Sequence, residues 1–166
     1  ISKLADGYKA IITVDGNHEH WHNGKMQRTV DEALAAVKDT LPENVYLLTR
    51  DNPTVEIDGV HFVGLNGWYS GDACGDPEKL KIRFKTWSDY RFAGFGFINQ
   101  DYPMTRAKDD ADTIRATLDR IADEEKDRTA RKPVVVITHT VPHRDFAHTT
   151  TDPDWNETNS FFVNTH

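Results

Sequence analysis

Short apolar runs of strand length alternate along this chain with segments whose apolar residues recur at helical spacing. Residues 1–10 read as the tail of a helix or a loop feeding a first strand. Ile11–Val14 is a continuous apolar run that breaks at Asp15-Gly16. Val30, Ala33, Leu34, Val37 and Leu41 then recur at helical spacing and predict a helix over about Val30–Thr40. Thr29 and Glu32 stand in capping-box spacing at its start, and Pro42 closes it. Val45–Thr49 is a second strand-like run. In Thr54–Val63 the dipeptide Asp58-Gly59 suits a two-residue type I′ turn, which sets Ile57 opposite Val60 and Val55 opposite Phe62. His61 falls on the other face from Val60 and Phe62 and reads as a solvent-facing strand residue. Ala111, Ile114, Leu118, Ile121 and Ala122 predict the longest helix, Ala107–Arg128. Val134–Ile137, wholly apolar, reads as a central strand buried on both faces, and it ends in Thr138-His139.

The pattern is that of a mixed α/β (α+β) chain, a single domain over 1–166 with room for a core. Residues 68–106 hold 9 of the 17 aromatic residues, too many for a disordered segment, and a loop of that length often covers an active site. Within it, Lys79–Lys85 alternates basic and apolar residues. An edge strand and a helix carrying Leu80, Phe84 and Trp87 fit equally, and its basic row reads as a solvated face before an anion-attracting one. The polar stretch from His143 to His166 has Trp155, Phe161 and Phe162 as anchors.

Composition narrows the function classes. A net charge of −7 argues against non-specific nucleic-acid binding. A lone cysteine, Cys74, excludes an intramolecular disulfide framework and fits a reducing compartment, hence a cytoplasmic setting, with Cys74 a plain loop or core residue. No apolar run approaches the roughly 20 residues of a membrane span. Oligomeric state is not legible.

The candidate chemistry lies where apolar runs end. In open α/β sheets, ligands bind at the carboxyl ends of strands. Gly16 lets the backbone turn sharply, and Asn17, His18 and Glu19 follow it. Asn17 offers a carbonyl oxygen, His18 a nitrogen or a transferable proton, and Glu19 a carboxylate able to orient the histidine. His139 brings a second imidazole to a second strand end. Such oxygen and nitrogen donors suit zinc, iron and manganese. Paired metals about 3.5–4 Å apart can hold a phosphoryl group and activate water. The other histidines read as bland: His20 and His22 as exposed turn residues, His143 and His148 as loop residues.

Gly16-Asn17-His18-Glu19 after a strand, followed about 120 residues later by Val134–His139, resembles the calcineurin-like metallophosphoesterases. That family carries five motifs in order: D-x-H, G-D-x-x-D, G-N-H-[DE], a histidine after a strand, and G-H-x-H. This chain has the third and fourth. The resemblance implies a β-sandwich of mixed sheets flanked by helices, with a dinuclear centre of manganese, iron or zinc at the strand ends. It implies that Asn17 binds one metal and touches the phosphate, and that His139 ligates the same metal. His18 would not be a ligand; it would contact the substrate, donating a hydrogen bond or proton at the leaving group, with Glu19 orienting it. The implied substrate is a phosphomonoester or phosphodiester.

The chain departs from the pattern elsewhere. It has no D-x-H and no G-H-x-H, and Gly71-Asp72 and Gly75-Asp76 lie after the third motif, where the second is out of order. The expectation is therefore the central part of a longer metallophosphoesterase domain, holding at most one metal and inactive alone. Two rivals stand beside it. His18-Glu19-His20-Trp21-His22 satisfies the zinc-protease pattern H-E-x-x-H, which needs a continuous helix through the motif. A non-catalytic binding or structural module needs the two motifs to coincide by accident, and would leave Asn17 far from His139.

Overall fold

A computed structural model describes residues 2–21, 30–71, 84–92 and 102–166. Helices and strands are mixed in an α+β arrangement. In chain order the elements are α1 (Ser2–Ala5), β1 (Ile11–Thr13), α2 (Val30–Lys38), β2 (Val45–Leu47), β3 (Thr54–Ile57) and β4 (Val60–Leu65). There follow α3 (Ser88–Phe92), α4 (Tyr102–Glu124), β5 (Val134–Thr138) and α5 (Pro153–Thr158), with 3₁₀ turns at His18–His20, Arg144–Phe146 and Asn159–Phe161. Among the described residues no helix is long and apolar enough to cross a membrane.

The chain divides into two compact units, each gathered from three separate stretches. The first comprises Ile1–Asp15, Arg28–Leu65 and Asp112–Ile137; the second comprises Gly16–Gln27, Asn66–Ala111 and Thr138–His166. The chain leaves the first unit within two residues of the end of β1, at the end of β4 and one residue before the end of β5.

In the first unit β1 pairs in parallel with β2, Ile12 opposite Tyr46, and β3, β4 and β5 form a second sheet in that order. The β3–β4 hairpin has the register its turn residues dictate, Ile57 opposite Val60 and Val55 opposite Phe62. Asp58 and Gly59 take φ of 53° and 78°, the left-handed pair that a type I′ turn requires. The buried apolar residues of this unit include Val30 and Leu34 on α2, Leu48 after β2, Val63 and Leu65 on β4, and Ile121 on α4.

Two faces differ from what the sequence pattern predicts. His61 is not solvent-facing: it is buried on the same face as Val63, while Val60 and Phe62 stay partly open. Its Nε2 lies 3.1 Å from Glu125 Oε1, just past the end of α4, so a buried acceptor replaces the water that a strand histidine would otherwise need. Glu125 also accepts the Lys132 amide at 2.7 Å. Nor is β5 buried on both faces. It lies at the edge of the described sheet, and Val134, Val135 and Val136 are 41–48% exposed. Its apolar run reflects strand preference for β-branched side chains rather than two-sided burial.

Helix α4 begins earlier than its apolar spacing suggests, because Pro103 is tolerated in a first turn, where the missing N–H has no partner to lose. It ends at Glu124, short of Arg128. The expected cap at Thr29 and the alternating segment from Lys79 to Arg83 lie outside the described residues, as do His22 and Cys74.

The second unit is built on aromatic packing. Trp68, Tyr69, Phe84 and Phe161 are buried in it together with Ala107 and Val163. Of the three expected anchors of the carboxyl-terminal stretch, Phe161 is buried, while Trp155 and Phe162 are largely exposed. His20, expected on the surface, is buried with its ring 5.7 Å from that of Trp68. A one-turn 3₁₀ helix points that side chain inward while leaving its neighbours His18 and Glu19 outside.

Candidate functional site

The second unit brings together two residues that the sequence separates by 122 positions. Asn17 Oδ1 lies 2.9 Å from His139 Nε2. Asn17 occupies the N-cap position of the His18–His20 turn, yet its side chain makes no capping bond. It is drawn elsewhere: Nδ2 donates to Asp89 Oδ1 at 2.8 Å. With its nitrogen so fixed, the amide presents its oxygen to His139, whose Nε2–H donates to it. His139 is held by its backbone, the amide donating to the Asn66 carbonyl at 2.9 Å.

Asp89 is the residue that sequence reading missed. It lies on α3, 1% exposed, and its Oδ1 also accepts Trp21 Nε1 at 2.7 Å, while Oδ2 accepts Trp87 Nε1 at 3.3 Å. A buried carboxylate is stable only when its oxygens are occupied, and here three donors converge on it. The one sequence signal was an acidic residue two places after a tryptophan in an aromatic-rich segment. Two of its three partners are 68 and 72 residues away, so no local pattern reveals them.

His18 is exposed and stacked on Trp21, ring centroids 3.7 Å apart. Trp21, tied to Asp89, is what orients it. The expected orienting role of Glu19 is replaced: its Oε2 accepts the Gly16 amide at 2.8 Å and closes the turn, and it makes no bond to His18. A Cβ added to Gly16 would stand 2.9 Å from that oxygen and 3.1 Å from His139 Cε1, so glycine is what lets the two approach. His143 is engaged in its own loop, its Nδ1 accepting the Asp145 amide.

Two ligands at about 2.1 Å from one ion and about 90° apart stand ~3 Å from each other. The Asn17 oxygen and His139 nitrogen meet that spacing, and once the His139 proton moves from Nε2 to Nδ1 they are the types that manganese, iron and zinc accept. They fit one ion. Among the described residues no group of three or more His, Cys, Asp or Glu is gathered to hold a metal. The helix that H-E-x-x-H chemistry needs is not there: β1 precedes the motif, His18–His20 is a single 3₁₀ turn, and Trp21 is extended at φ −79°, ψ 110°.

A cavity of about 320 Å³ opens beside this pair, with Asn17, His18 and His139 in its lining. Trp68 and Tyr69 reach it through a turn at Gly67, where φ is +83° and a Cβ would stand 2.9 Å from Thr140 Oγ1. Gly67 is pinned by its amide to Asp110 Oδ2 at 3.1 Å. Tyr69 Oη is buried and, among the described residues, makes no hydrogen bond of full geometry. Burial first, then the nearby Asp89 charge and hydrogen bonding toward that carboxylate, push this hydroxyl well above its ordinary range, so it stays protonated.

No family model and no solved structure matches the chain. It is similar to the uncharacterized protein L509 of Acanthamoeba polyphaga mimivirus, with 24% identity over 140 residues. That similarity covers 84% of this chain and 48% of the viral protein, so the chain spans about half the length of the relative it matches.

Proposed function

We propose that this chain carries part of a metal-dependent phosphoesterase site of the calcineurin-like kind. Asn17 and His139 would hold one divalent ion, manganese, iron or zinc, and His18 would act on the leaving group. The observation that supports this most is the 2.9 Å approach of Asn17 Oδ1 to His139 Nε2, each residue following a strand. In this reading the two small sheets belong to a metallophosphoesterase sandwich, and the complete domain holds a second ion on ligands not among the described residues.

A bound divalent ion supplies Lewis acidity toward a phosphoryl oxygen and lowers the pKa of a bound water. The chain's own residues do the rest. Asp89 fixes the Asn17 amide so that its oxygen faces inward. Among the described residues neither His18 ring nitrogen is engaged in a hydrogen bond, so a protonated ring can donate to the oxygen of a departing alcohol. Stacking on Trp21 limits that ring's freedom, which lowers the cost of holding it in place. Glu19 serves the turn rather than the proton.

Calorimetric titration with Mn²⁺ and Zn²⁺ tests the reading. The expected result is one ion per chain, with affinity falling by at least roughly 10–100-fold in His139→Ala and in Asn17→Ala, the scale seen when a metal's immediate support is removed. Unchanged affinity in both variants would sink the assignment. Metal uptake with 4-nitrophenyl phosphate turnover would also require further ligands beyond these two.

A further inference from the structure

The cavity beside Asn17 and His139 is walled by rings rather than by charged groups. Trp87 stacks on Phe161 at 4.6 Å with 18° between planes, and Tyr69 meets Phe161 edge-on at 5.7 Å. Phe162 stands edge-on to Trp87 at 5.5 Å, and Trp68 completes the wall. Each ring is fixed by another, so the wall keeps its shape without a ligand. The volume, about 320 Å³, is at the small end of the 300–1,000 Å³ usual for small-molecule sites. A phosphate alone would leave most of it unfilled.

The Tyr69 hydroxyl in this wall has the Asp89 carboxylate nearby and, among the described residues, no hydrogen bond of full geometry. Its Oη is buried and only weakly answered by Asp89 among the described residues, a condition that costs free energy unless something outside the fold adds to it. The hydroxyl stays protonated over the whole physiological range because burial and Asp89 both oppose its ionisation. It therefore offers a donor to an acceptor atom on whatever enters. Flat, preorganised aromatic walls with one directed donor suit a planar heteroaromatic ring, since stacking rewards any π-face and the donor selects among them.

We infer that this cavity takes the planar aromatic group of a phosphate ester, a nucleobase being the form that also carries an acceptor for Tyr69 Oη. The ester's phosphate then lies at Asn17 and His139, and its leaving oxygen within reach of His18. The inference rests on the phosphoesterase reading above and adds the substrate class to it. Trp87 and Tyr69 are the residues that set specificity; neither contacts the reacting atoms.

Titration in the presence of Mn²⁺, read by quenching of tryptophan fluorescence and by calorimetry, tests it with four probes: adenosine 5′-monophosphate, phenyl phosphate, ribose 5-phosphate and adenosine. The two aromatic esters should bind at least about tenfold tighter than ribose 5-phosphate, the scale of one stacked ring. Trp87→Ala should abolish that preference. Tyr69→Phe, which removes only the hydroxyl and leaves the wall intact, should weaken adenosine 5′-monophosphate about fivefold or more while leaving phenyl phosphate unchanged. Ribose 5-phosphate binding as tightly as the aromatic esters would overturn the inference and leave the phosphoesterase reading standing. Adenosine binding as tightly as its monophosphate would support the aromatic cavity and overturn the phosphoesterase reading. Absence of binding by all four probes would overturn both.

Discussion

Replacing Asp89 removes the acceptor on which three side-chain donors converge. Two of those bonds are short, Trp21 Nε1 at 2.7 Å and Asn17 Nδ2 at 2.8 Å, both to the same oxygen, and the third, from Trp87, is 3.3 Å. Hydrogen bonds to charged groups contribute roughly 1.5–3 kcal/mol each. Counting the two short ones alone, Asp89→Ala should cost about 3–6 kcal/mol, a large share of the 5–15 kcal/mol that holds a typical domain. Asp89→Asn should cost less, about 1–3 kcal/mol. Its amide oxygen can keep both short bonds in neutral form, but its NH₂ then faces the Trp87 N–H, donor against donor. Urea unfolding followed by tryptophan fluorescence measures the difference as the shift in midpoint times the slope. The order wild type, Asn, Ala is required. A loss under 1 kcal/mol for Asp89→Ala would refute the claim that this carboxylate organises the site. In the folded Asp89→Asn protein, Mn²⁺ affinity should also fall, because the neutral acceptor holds the Asn17 amide less firmly.

Further outcomes follow from other parts of the structure. Glu125 has its pKa held below the ordinary 4.5, first by the Lys132 amide and then by His61 and Arg128. A depressed carboxylate contributes stability above its unfolded value and loses it as pH falls through the folded one, so acid unfolding below pH 4.5 should be steeper in wild type than in Glu125→Gln; identical slopes in circular dichroism would contradict this. Gly67→Ala places a Cβ 2.9 Å from Thr140 Oγ1 at a φ of +83°, and should cost about 1–3 kcal/mol by thermal denaturation. Val135→Lys, at a position 42% exposed on the edge strand, should change stability by no more than about 0.5 kcal/mol while raising solubility; a larger loss would mean that β5 is covered.

What the sequence disclosed, and what it concealed, divides by the range of the forces involved. The Asp58-Gly59 hairpin was legible because two residues fix its backbone and hence its register. The register did not say which face is inside. Val60 and Phe62 looked like the core face by hydrophobicity. The buried side is the one carrying His61, because Glu125, 64 residues away, supplies the partner that makes burying an imidazole tolerable. The four β-branched and apolar residues of Val134–Ile137 announced a strand correctly but not its place at a sheet edge, since strand preference and burial favour the same side chains. Asn17 and His139 were legible because each follows an apolar strand-like run and because a family pattern of two short motifs names them. Asp89 belongs to no motif, and Glu19 belongs to one but points elsewhere.

The geometry around Asp89 also ties Asn17 to the aromatic cavity. One carboxylate oxygen holds Asn17, the other holds Trp87, and Asn17 and Trp87 both line the cavity. A ligand ring stacked on Trp87 therefore lies one hydrogen bond from the group that orients the Asn17 amide. Rigid, shared acceptors of this kind make their donors interdependent, so substitutions at the two positions should not act additively. A cycle of Asn17→Ala and Trp87→Phe, scored for Mn²⁺ affinity, should show a coupling of about 0.5–1.5 kcal/mol. Trp87→Phe keeps a ring in the wall and removes only the N–H, so the coupling would report the carboxylate and not the packing. Strict additivity would separate the two halves of the site, leaving Asn17 and His139 as one feature and the aromatic wall as another.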